Sequence, residues 1–541
     1  MPVIEVDLGE LIQLSGISKS REWFIERIPM LGASFEGSEG NVLRFEFFPN
    51  RPDHYSVEGV ARSLKTLYTD SRLKYVVGRS NRLVYIEESV LDVRPVFVGA
   101  IVEGVPLRKR VIDSIIELQE KLHTTVGRRR EKVAIGIHDI SAIRFPLHYT
   151  ATSDDTFSFV PLGSERSMNI YEILELHEKG KEYGALLNNG LYPLLRDADG
   201  NVLSMPPIIN GTLTALHEGS ERLFIDVTGM EERACSVVLN ILSAALADRG
   251  CVISSVTVVR GDERKETPNM EWRSTRLSPS EVGRLMGFKL QISQIAELLT
   301  KMGHRAEVDG DGLKVAYPPF RIDIMHPVDL IEDVAIAYGF EKFGASMPHS
   351  QTNGGLLPST ILEERVTETM IGYGYSQVLT FMISGKGLEF LRGMQPEVQT
   401  VQIRNPVPEE MDILRTSLLT SMLVLLETNK HNELPQRIFE IGDVHRPRRE
   451  KHFAAISMHA KASFAEAKSL AEALVRDLRL NAAFTPSDDP RFISGRSMNI
   501  VINGNTAGVF GELHPQLITN FNLNAPIAAL EVDIDFNGML R

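Results

Sequence analysis

Four carboxylates crowd into one short stretch of the chain, and their mutual repulsion limits how that stretch can fold. The stretch is YPPFRIDIMHPVDLIEDVAIAYGF (317–340), and within eleven residues it carries Asp323, Asp329, Glu332 and Asp333. Asp329 and Glu332 have the spacing of a helix N-cap and its third residue, where acids interact favourably with the helix dipole. This explanation leaves out Asp323 and Asp333. Because residues 329, 332 and 333 share one helix face, a hard cation such as Mg²⁺ is the alternative.

The length of the chain predicts several domains. With 541 residues it is too long for a single hydrophobic core, and roughly three to five domains are expected. The longest apolar run, residues 234–247, is interrupted by polar side chains and falls short of the roughly 20 residues needed to cross a bilayer. The acidic N-terminus does not resemble a signal peptide, and the two cysteines indicate a reducing compartment. The sequence therefore predicts a cytoplasmic protein without a membrane segment.

The charge distribution leaves nucleic-acid binding open. The net charge of −13 argues against a surface devoted to binding phosphate groups. However, the segment KLHTTVGRRREK (121–132) carries five lysines or arginines, and a local basic cluster can bind nucleic acid by releasing counterions. On the residues alone, a solvated basic loop explains this segment equally well.

The helix and strand patterns predict a multidomain α+β protein. Its parts are an N-terminal domain (1–85), a mixed α/β domain (86–265), a small helix-turn-helix-like domain of two helices, a hairpin and a third helix (266–345), and further strands and helices (346–541). In the first part, FEFFPNRPDHYSVEG (45–59) is predicted to be an ordered turn with Asp53 or Ser56 as helix cap. In the second, DADGN (197–201) is predicted to be a β-turn rather than a calcium loop.

No self-sufficient catalytic motif occurs in the sequence. It lacks the phosphate loop G-x-x-x-x-G-K-[ST], the zinc motif H-E-x-x-H, the nucleophile elbow G-x-S-x-G and the pair C-x-x-C. The histidines are scattered, and a lone histidine is more often structural than catalytic. Any chemistry must therefore come from residues that the fold brings together.

Six segments resemble one known family. FEFFPNRPDHYSVEGVARSL (45–64), LSMPPIINGT (203–212) and YPPFRIDIMHPVDLIEDVAIAYGFEKF (317–343) resemble the β subunit of phenylalanyl-tRNA synthetase in its archaeal and eukaryotic form. LRTSLL (414–419), RIFEIGDV (437–444) and GVFGELHPQL (508–517) resemble the catalytic-like domain of the same subunit. The segments follow the family's order and span nearly the whole chain, which makes the resemblance specific.

The resemblance implies a role for each part and a partner for the chain. Residues 86–265 would form an α/β tRNA-editing domain, residues 266–345 the helix-turn-helix-like domain with the acidic cluster, and residues 346–541 a degenerate class II synthetase domain built on an antiparallel sheet. The chain would pair with a separate α subunit in an (αβ)₂ heterotetramer. That α subunit would use ATP to charge tRNA(Phe) with L-phenylalanine.

For the acidic cluster, the resemblance implies Mg²⁺ shared with the α subunit. The implied ligands are Asp323, Asp329, Glu332 and Asp333. The capping role and the metal role are compatible, since a carboxylate has two oxygens.

For the editing domain, the resemblance implies hydrolysis of tRNA(Phe) mischarged with tyrosine. Such an error is expected, because an amino-acid pocket discriminates weakly against a substrate that only adds a hydroxyl. A hydrolytic site without metal or covalent nucleophile needs polar groups that place a water and bind the tyrosyl hydroxyl. We assign this role to Asn210, Asp226 and Thr228, with His138 and Asp139 as second choices. The alternative is that Asp226 and Thr228 only close a strand. The GRRREK loop is the predicted tRNA contact.

The C-terminal part is predicted to be a subunit interface rather than an active site. Arg437 and Glu440 resemble the class II strand that holds ATP, but the Gly-rich strand with its arginine has no counterpart. The nearest candidate, residues 495–504, is predicted to be an ordinary strand pair. Two other functions remain open: a stand-alone hydrolase of mischarged tRNA, and a tRNA-binding scaffold without activity. A DNA-binding regulator is disfavoured by the acidic third helix of residues 266–345.

Overall fold

The computed structural model describes residues 2–104, 108–153, 156–187, 190–347 and 353–534. The chain divides into two compact units, Met1–Ser346 and Met347–Arg541. Both combine helices with β-sheets, in agreement with the predicted multidomain fold. The described part of the chain contains no helix that is long and apolar enough to cross a membrane.

The first unit begins with a three-stranded antiparallel sheet. Its elements are β1 (Val3–Asp7), α1 (Leu8–Ser15), α2 (Arg21–Arg27), β2 (Ala33–Glu39), β3 (Val42–Phe47) and α3 (Val57–Tyr68), in strand order β1-β3-β2. Of the two predicted caps of α3, Ser56 is the correct one, because its hydroxyl accepts a hydrogen bond from the backbone N–H of Gly59. Asp53 is instead buried in an ion pair with Arg51 at 2.8 Å.

Gly59 allows α3 to start directly against the preceding turn. A Cβ atom at this position would lie 1.7 Å from the backbone carbonyl oxygen of Asp53, which no side chain tolerates. The turn and the helix can therefore lie this close together only because residue 59 has no side chain.

The middle of the first unit is built on an eleven-stranded mixed sheet. Its elements are β4 (Val77–Gly78), β5 (Leu83–Ile86), β6 (Val96–Glu103), α4 (Lys109–Thr124), β7 (Val133–Asp139), β8 (Leu147–Thr152), β9 (Ser158–Phe159), β10 (Met168–Asn169), α5 (Ile170–Leu176), α6 (Glu178–Tyr183), β11 (Tyr192–Arg196), β12 (Val202–Met205), β13 (Ile209–Asn210), β14 (Arg222–Gly229), α7 (Glu232–Asp248), β15 (Val252–Arg260) and β16 (Glu263–Thr267). The main strand order is β13-β12-β11-β8-β5-β15-β6-β14-β7, with β4 and β16 also paired to β15 and with β9 and β10 forming a separate small sheet. Residues 197–201 form the predicted turn, between β11 and β12, and Asp197 accepts hydrogen bonds within it.

The last part of the first unit is a three-stranded sheet with three helices. Its elements are β17 (Arg273–Leu277), α8 (Pro279–Met286), α9 (Ile292–Lys301), β18 (Arg305–Asp309), β19 (Gly312–Tyr317) and α10 (Pro327–Tyr338). Strands β18 and β19 form the predicted hairpin. The prediction that Asp329 is the N-cap residue of α10 is wrong. The helix begins at Pro327, His326 is the N-cap, and Asp329 is the third helical residue.

The second unit contains a seven-stranded sheet between two layers of helices. Its elements are α11 (Pro358–Gly372), β20 (Ser376–Gln377), β21 (Ile383–Ser384), β22 (Ile413–Leu414), α12 (Leu418–Thr428), β23 (Gln436–His445), β24 (Arg449–Met458), α13 (Phe464–Asp477), β25 (Ala482–Pro486), β26 (Phe492–Ile502), β27 (Asn505–Leu513), α14 (Pro515–Asn520) and β28 (Ile527–Asp533). The strand order is β20-β23-β24-β28-β27-β26-β25. Helices α12 and α14 pack on one face, and α11 and α13 on the other. Residues 495–504 lie in β26 and its turn into β27, the predicted ordinary strand pair.

The close approach at Gly59 yields a stability prediction. Replacing Gly59 with alanine should lower the free energy of unfolding of the first unit by roughly 2–4 kcal/mol, because the added methyl group collides with backbone that cannot yield cheaply. Urea unfolding measures this change. The matched control is Gly283→Ala in α8, where an added Cβ would meet its nearest atom at an ordinary 3.6 Å. Equal effects of the two substitutions would contradict this account of Gly59.

Candidate functional site

A cleft in the mixed α/β part gathers the three residues assigned to editing. It has a volume of about 660 Å³, and Asn210, Asp226 and Thr228 all line it. Asp226 and Thr228 lie on β14, whereas Asn210 ends the short strand β13. The fold therefore brings together residues that the sequence separates.

Asp226 is buried at the cleft wall and is held from one side by a histidine. Its Oδ2 lies 2.8 Å from Nε2 of His138, and Nδ1 of the same ring lies 2.7 Å from Oγ1 of Thr214. An ionised carboxylate only accepts hydrogen bonds, so Nε2 carries the proton and Nδ1 accepts from the Thr214 hydroxyl. His138 thus orients Asp226 from behind and does not itself line the cleft.

The position of Asp226 depends on a glycine on the neighbouring strand. Gly136 of β7 is its register partner, and a Cβ there would lie 2.0 Å from Asp226 Oδ2. The absence of a side chain at residue 136 therefore provides the space that the Asp226 carboxylate occupies.

Thr228 is fixed by a buried arginine. Its Oγ1 accepts a hydrogen bond from Nε of Arg94 at 2.9 Å, and its backbone carbonyl accepts another from Nη2 at 2.8 Å. Since Arg94 can only donate, the Thr228 hydroxyl keeps its own hydrogen for another acceptor.

Asp139 does not belong to the cleft. Its carboxylate accepts hydrogen bonds from the Ser220 hydroxyl and from the backbone N–H of Ser141 at 2.8 Å. It also lies 3.2 Å from Nε2 of His217. The structure therefore gives Asp139 a capping role in the strand-to-turn junction, away from Asp226.

The basic loop that is predicted to contact tRNA has two exposed arginines and one buried arginine. Arg128 and Arg129 are exposed, whereas Arg130 folds inward and donates to the carbonyl of Ile208 at 2.9 Å and to Glu120 at 2.9 Å. All three arginines have left-handed backbone conformations, with φ of 48°, 54° and 67°. Successive left-handed residues other than glycine are strained, so the surrounding contacts must enforce this turn.

Sequence reasoning missed Glu120 and Arg130 as cleft residues. Both line the cleft, and Arg130 also lies over the ring of Tyr183 at 4.5 Å. A hydrogen bond from His123, together with the charges of His123 and Arg130, lowers the pKa of Glu120 to about 2 against the opposing effect of burial. A run of three arginines carries no signal that its last member points into the protein.

In the acidic cluster, two of the four carboxylates are neutralised by one buried guanidinium group. Arg321 donates to Asp323 at 2.7 Å and to Asp333 at 2.8 Å. His304 lies 2.6 Å from the same oxygen of Asp333, Oδ2. Burial raises the pKa of Asp333, but Arg321 and His304 outweigh it and hold that pKa well below its ordinary value.

Asp329 is satisfied by the backbone. Its Oδ2 accepts hydrogen bonds from the N–H groups of Met325 at 2.8 Å and His326 at 2.7 Å, as the third residue of a capping box does. The sequence correctly indicated a capping role, but it placed the cap three residues too late.

Glu332 is the carboxylate of the cluster that the chain leaves without compensation. The described residues offer it neither a hydrogen bond nor an ion pair, and its side chain is exposed. Partial burial and the nearby charges of Asp333 and Asp323 raise its pKa. A cation next to Glu332 would relieve this repulsion, so the donor set fits Mg²⁺, which usually takes only one or two protein carboxylates.

The acidic cluster is not a preformed cage. Among the described residues, the one group that brings three potential ligand atoms within 4.8 Å of one another is Glu450, His452 and Asp533 in the second unit. A cation at the four acids would therefore need water molecules or groups from another chain to complete its coordination.

In β23, the strand that resembles a class II ATP-holding strand, other side chains of this chain already bind the acidic residue Glu440. Glu440 is fully buried, with Arg415 at 2.8 Å and the hydroxyl of Thr380 at 2.6 Å. Arg437 is half-exposed and lies 3.8 Å from Glu466. Neither side chain is arranged with the other to hold a common ligand.

Comparison with known proteins assigns both units. The chain matches a tRNA synthetase B5 domain over residues 275–340 and the CLM domain of the phenylalanyl tRNA synthetase beta chain over residues 344–534. It is 43% identical to the phenylalanine–tRNA ligase beta subunit of Archaeoglobus fulgidus over 541 residues, which covers 99% of this chain and 98% of that relative. The corresponding subunit of Pyrococcus horikoshii is 40% identical over 549 residues, which covers 98% and 99%. An N-terminal fragment of the phenylalanyl-tRNA synthetase beta-subunit from Pyrococcus horikoshii aligns with a TM-score of 0.61 and 41% identity, covering 62% of this chain and all of the fragment.

The central role of Arg321 can be tested by removing its charge. Arg321→Met should lower the free energy of unfolding of the first unit by roughly 3–5 kcal/mol, because it leaves buried carboxylates unpaired. Urea unfolding followed by circular dichroism measures the change.

The matched control for this substitution is Arg276→Met in β17. Arg276 pairs with Asp311 at 2.9 Å, but both side chains are largely exposed. Its loss should change the free energy by no more than about 0.5 kcal/mol. If Arg321→Met costs as little as the control, the cluster does not depend on this guanidinium group.

Proposed function

The chain belongs to the family of phenylalanine–tRNA ligase beta subunits, and we propose that it acts as the non-catalytic subunit in ATP-dependent charging of tRNA(Phe) with L-phenylalanine. In this proposal a separate α subunit holds ATP and the aminoacylation site, and the two chains form an (αβ)₂ heterotetramer. The ion pair between Glu440 and Arg415 supports a role other than catalysis for the second unit, since a carboxylate bound to Arg415 is not available to a substrate.

An exposed apolar segment supports the proposed partner. Leu379 and Phe381 are each 88% exposed and lie between β20 and β21, next to the partly exposed Ile383. Large apolar side chains that extend into solvent one after another are typical of surfaces that another chain covers. We assign this segment to the contact with the α subunit.

Mg²⁺ shared with the α subunit is the second part of the proposal. Glu332 and Asp329 would bind it, with Asp323 and Asp333 held beside it by Arg321. The ion would supply positive charge to carboxylates that the chain leaves only partly neutralised. A ligand from the α subunit would make this ion part of the interface.

Editing of tyrosyl-tRNA(Phe) in the cleft is the third part. The buried carboxylate of Asp226, oriented by His138, is proposed to accept a hydrogen bond from the tyrosyl hydroxyl. A phenylalanyl group would leave Asp226 without that partner in a desolvated site, and such a penalty rejects the correctly charged tRNA. Selectivity would thus come from the cost of an unpaired carboxylate rather than from the size of the pocket.

Asn210 and Thr228 are proposed to place the hydrolytic water. The amide of Asn210 can both donate and accept, and the Thr228 hydroxyl has a hydrogen to donate because Arg94 occupies its acceptor side. Hydrolysis adds the hydroxyl of water to the ester carbonyl carbon and returns the proton to the ribose oxygen that leaves. The exposed Arg128 and Arg129, which precede the cleft residue Arg130, are proposed to contact the tRNA backbone.

The editing assignment predicts a selective loss. In the purified complex, Asp226→Asn should slow the release of tyrosine from tyrosyl-tRNA(Phe) by roughly 100-fold, since the amide cannot replace a carboxylate as an acceptor held between two donors. Charging with phenylalanine should be unchanged, because it occurs on the other chain. The control is Asp199→Asn in the exposed turn of the same part. Unchanged hydrolysis by Asp226→Asn would remove Asp226 from the proposed site.

The partner assignment predicts the mass of the native particle. The wild-type chain should co-purify with a smaller chain as a particle with two copies of each, whereas the double variant Leu379→Glu and Phe381→Glu should lose the partner. Val76→Glu, at a residue that is 68% exposed in the first unit, serves as the control. Removal of Mg²⁺ by a chelator should weaken assembly of the wild type. A wild-type particle without a second kind of chain would favour a stand-alone hydrolase of mischarged tRNA.

A further inference from the structure

Three potential metal ligands meet on one face of the sheet in the second unit. Glu450, His452 and Asp533 each contribute one atom to a group whose members all lie within 4.8 Å of one another. His452 of β24 and Asp533 of β28 are register partners, and Glu450 lies two residues before His452. Because side chains alternate along a strand, the three residues point to the same side of the sheet.

The ring of His452 is fixed from behind by a buried carboxylate. Its Nδ1 lies 3.0 Å from Oε1 of Glu531, and the side chain of His452 is only 5% exposed. Glu531 is itself anchored by the Ser417 hydroxyl at 2.6 Å, by the backbone N–H of Leu418 at 2.9 Å and by Arg491 at 3.2 Å. Glu531 therefore cannot turn away without breaking several hydrogen bonds.

This anchoring determines which ring nitrogen can bind a ligand. In the neutral ring, Nδ1 donates its hydrogen to Glu531, and the lone pair of Nε2 then faces the other two members of the group. Nε2 lies 3.3 Å from Oε2 of Glu450. Metal-binding histidines are typically oriented in this way, by a carboxylate on the nitrogen that does not bind the metal.

We propose that Glu450, His452 and Asp533 form a binding site for a divalent first-row transition-metal ion of the Zn²⁺ class. The site has one nitrogen and two oxygen donors. Mg²⁺ and Ca²⁺ prefer oxygen donors, whereas Zn²⁺ readily accepts imidazole together with carboxylates. Three protein ligands also leave a coordination position for water or for a ligand from another molecule.

The distances require only a small contraction. Zn²⁺ binds these donors at roughly 2.0–2.2 Å, which places donor atoms about 3–4 Å apart. Nε2 of His452 and Oε2 of Glu450 already have this spacing at 3.3 Å, so the remaining contraction from at most 4.8 Å involves the half-buried side chain of Asp533. Strand pairing holds His452 and Asp533 opposite one another. The site is separate from the acidic cluster of the first unit and does not depend on the editing proposal.

A protonated His452 is the competing arrangement. Burial lowers the pKa of His452, but its hydrogen bonds to Glu450 and Glu531 outweigh this effect and raise that pKa. An imidazolium ring that donates one hydrogen bond to Glu450 and another to Glu531 would satisfy the ring and both carboxylates without a metal. The two arrangements differ in a measurable property, because only the metal site binds one transition-metal ion per chain.

Zn²⁺ titration of the full chain, purified with any chain that accompanies it, tests the proposal. The protein is first freed of metal and then kept in excess Mg²⁺, which saturates oxygen-rich sites but does not occupy this one. The wild type should bind one more Zn²⁺ per chain than the double variant Glu450→Gln and Asp533→Asn. The number of Zn²⁺ ions bound elsewhere, including at the two cysteines, is the same in both proteins. The difference between them therefore measures binding at this site alone.

Single variants separate ligands from positioning residues. Glu450→Gln and Asp533→Asn should each weaken this Zn²⁺ binding at least about 10-fold, and Glu531→Gln should weaken it by about 10- to 100-fold while leaving the stoichiometry at one. The matched control is Glu363→Gln, which removes a carboxylate that pairs with Lys451 at 3.3 Å. Circular dichroism establishes that each variant is folded. Equal Zn²⁺ binding by the wild type and the double variant would overturn the proposal, as would displacement of the ion by Mg²⁺.

Discussion

The buried guanidinium group of Arg321 ties together segments of the first unit that lie far apart in the sequence. It binds Asp333 in α10 and Asp323 just before that helix, and the charge of Asp53, from the turn before α3, further stabilises its protonated form. Arg62 of α3 lies 3.7 Å from Asp53 and 2.8 Å from Asp248 at the end of α7. Since an unpaired buried charge costs several kcal/mol, these helices can take only positions that keep every charge matched.

This network changes how the acidic cluster should be understood. Arg321 and the backbone N–H groups just before α10 already compensate three of the four carboxylates. Glu332 is the exception, and it is the member that faces solvent. A cation bound there would act where another chain can reach it. The same stretch of sequence thus combines a structural role, in its buried acids, with a surface role in its exposed one.

Local features of the fold were predictable from the sequence, whereas contacts across the sheets were not. The Ser56 cap, the turn at 197–201 and the hairpin of β18 and β19 follow from interactions between residues a few positions apart. The cap of α10 was misplaced because His326, an unusual capping residue, takes the position before Pro327. Asp226 and His138 are 88 residues apart, and only the pairing of β7 with β14 brings them together. Spacing alone therefore left Asp226 as the end of a strand, and the role proposed for it came from the family resemblance.

The partner of a buried acid distinguishes Asp226 from the acids that are paired with arginine. In the second unit, Glu440 is bound to Arg415 and Glu531 to Arg491, so each carboxylate already has a full opposite charge beside it. An acid matched in this way gains little from a substrate. In the cleft of the first unit, the hydrogen bond to Asp226 comes from the imidazole of His138 rather than from an arginine. Such a carboxylate has no full opposite charge hydrogen-bonded to it and still favours a further donor. A hydroxyl that enters the cleft would therefore stabilise Asp226 more than it would stabilise any of the arginine-paired acids, and this difference supports the recognition role proposed for Asp226.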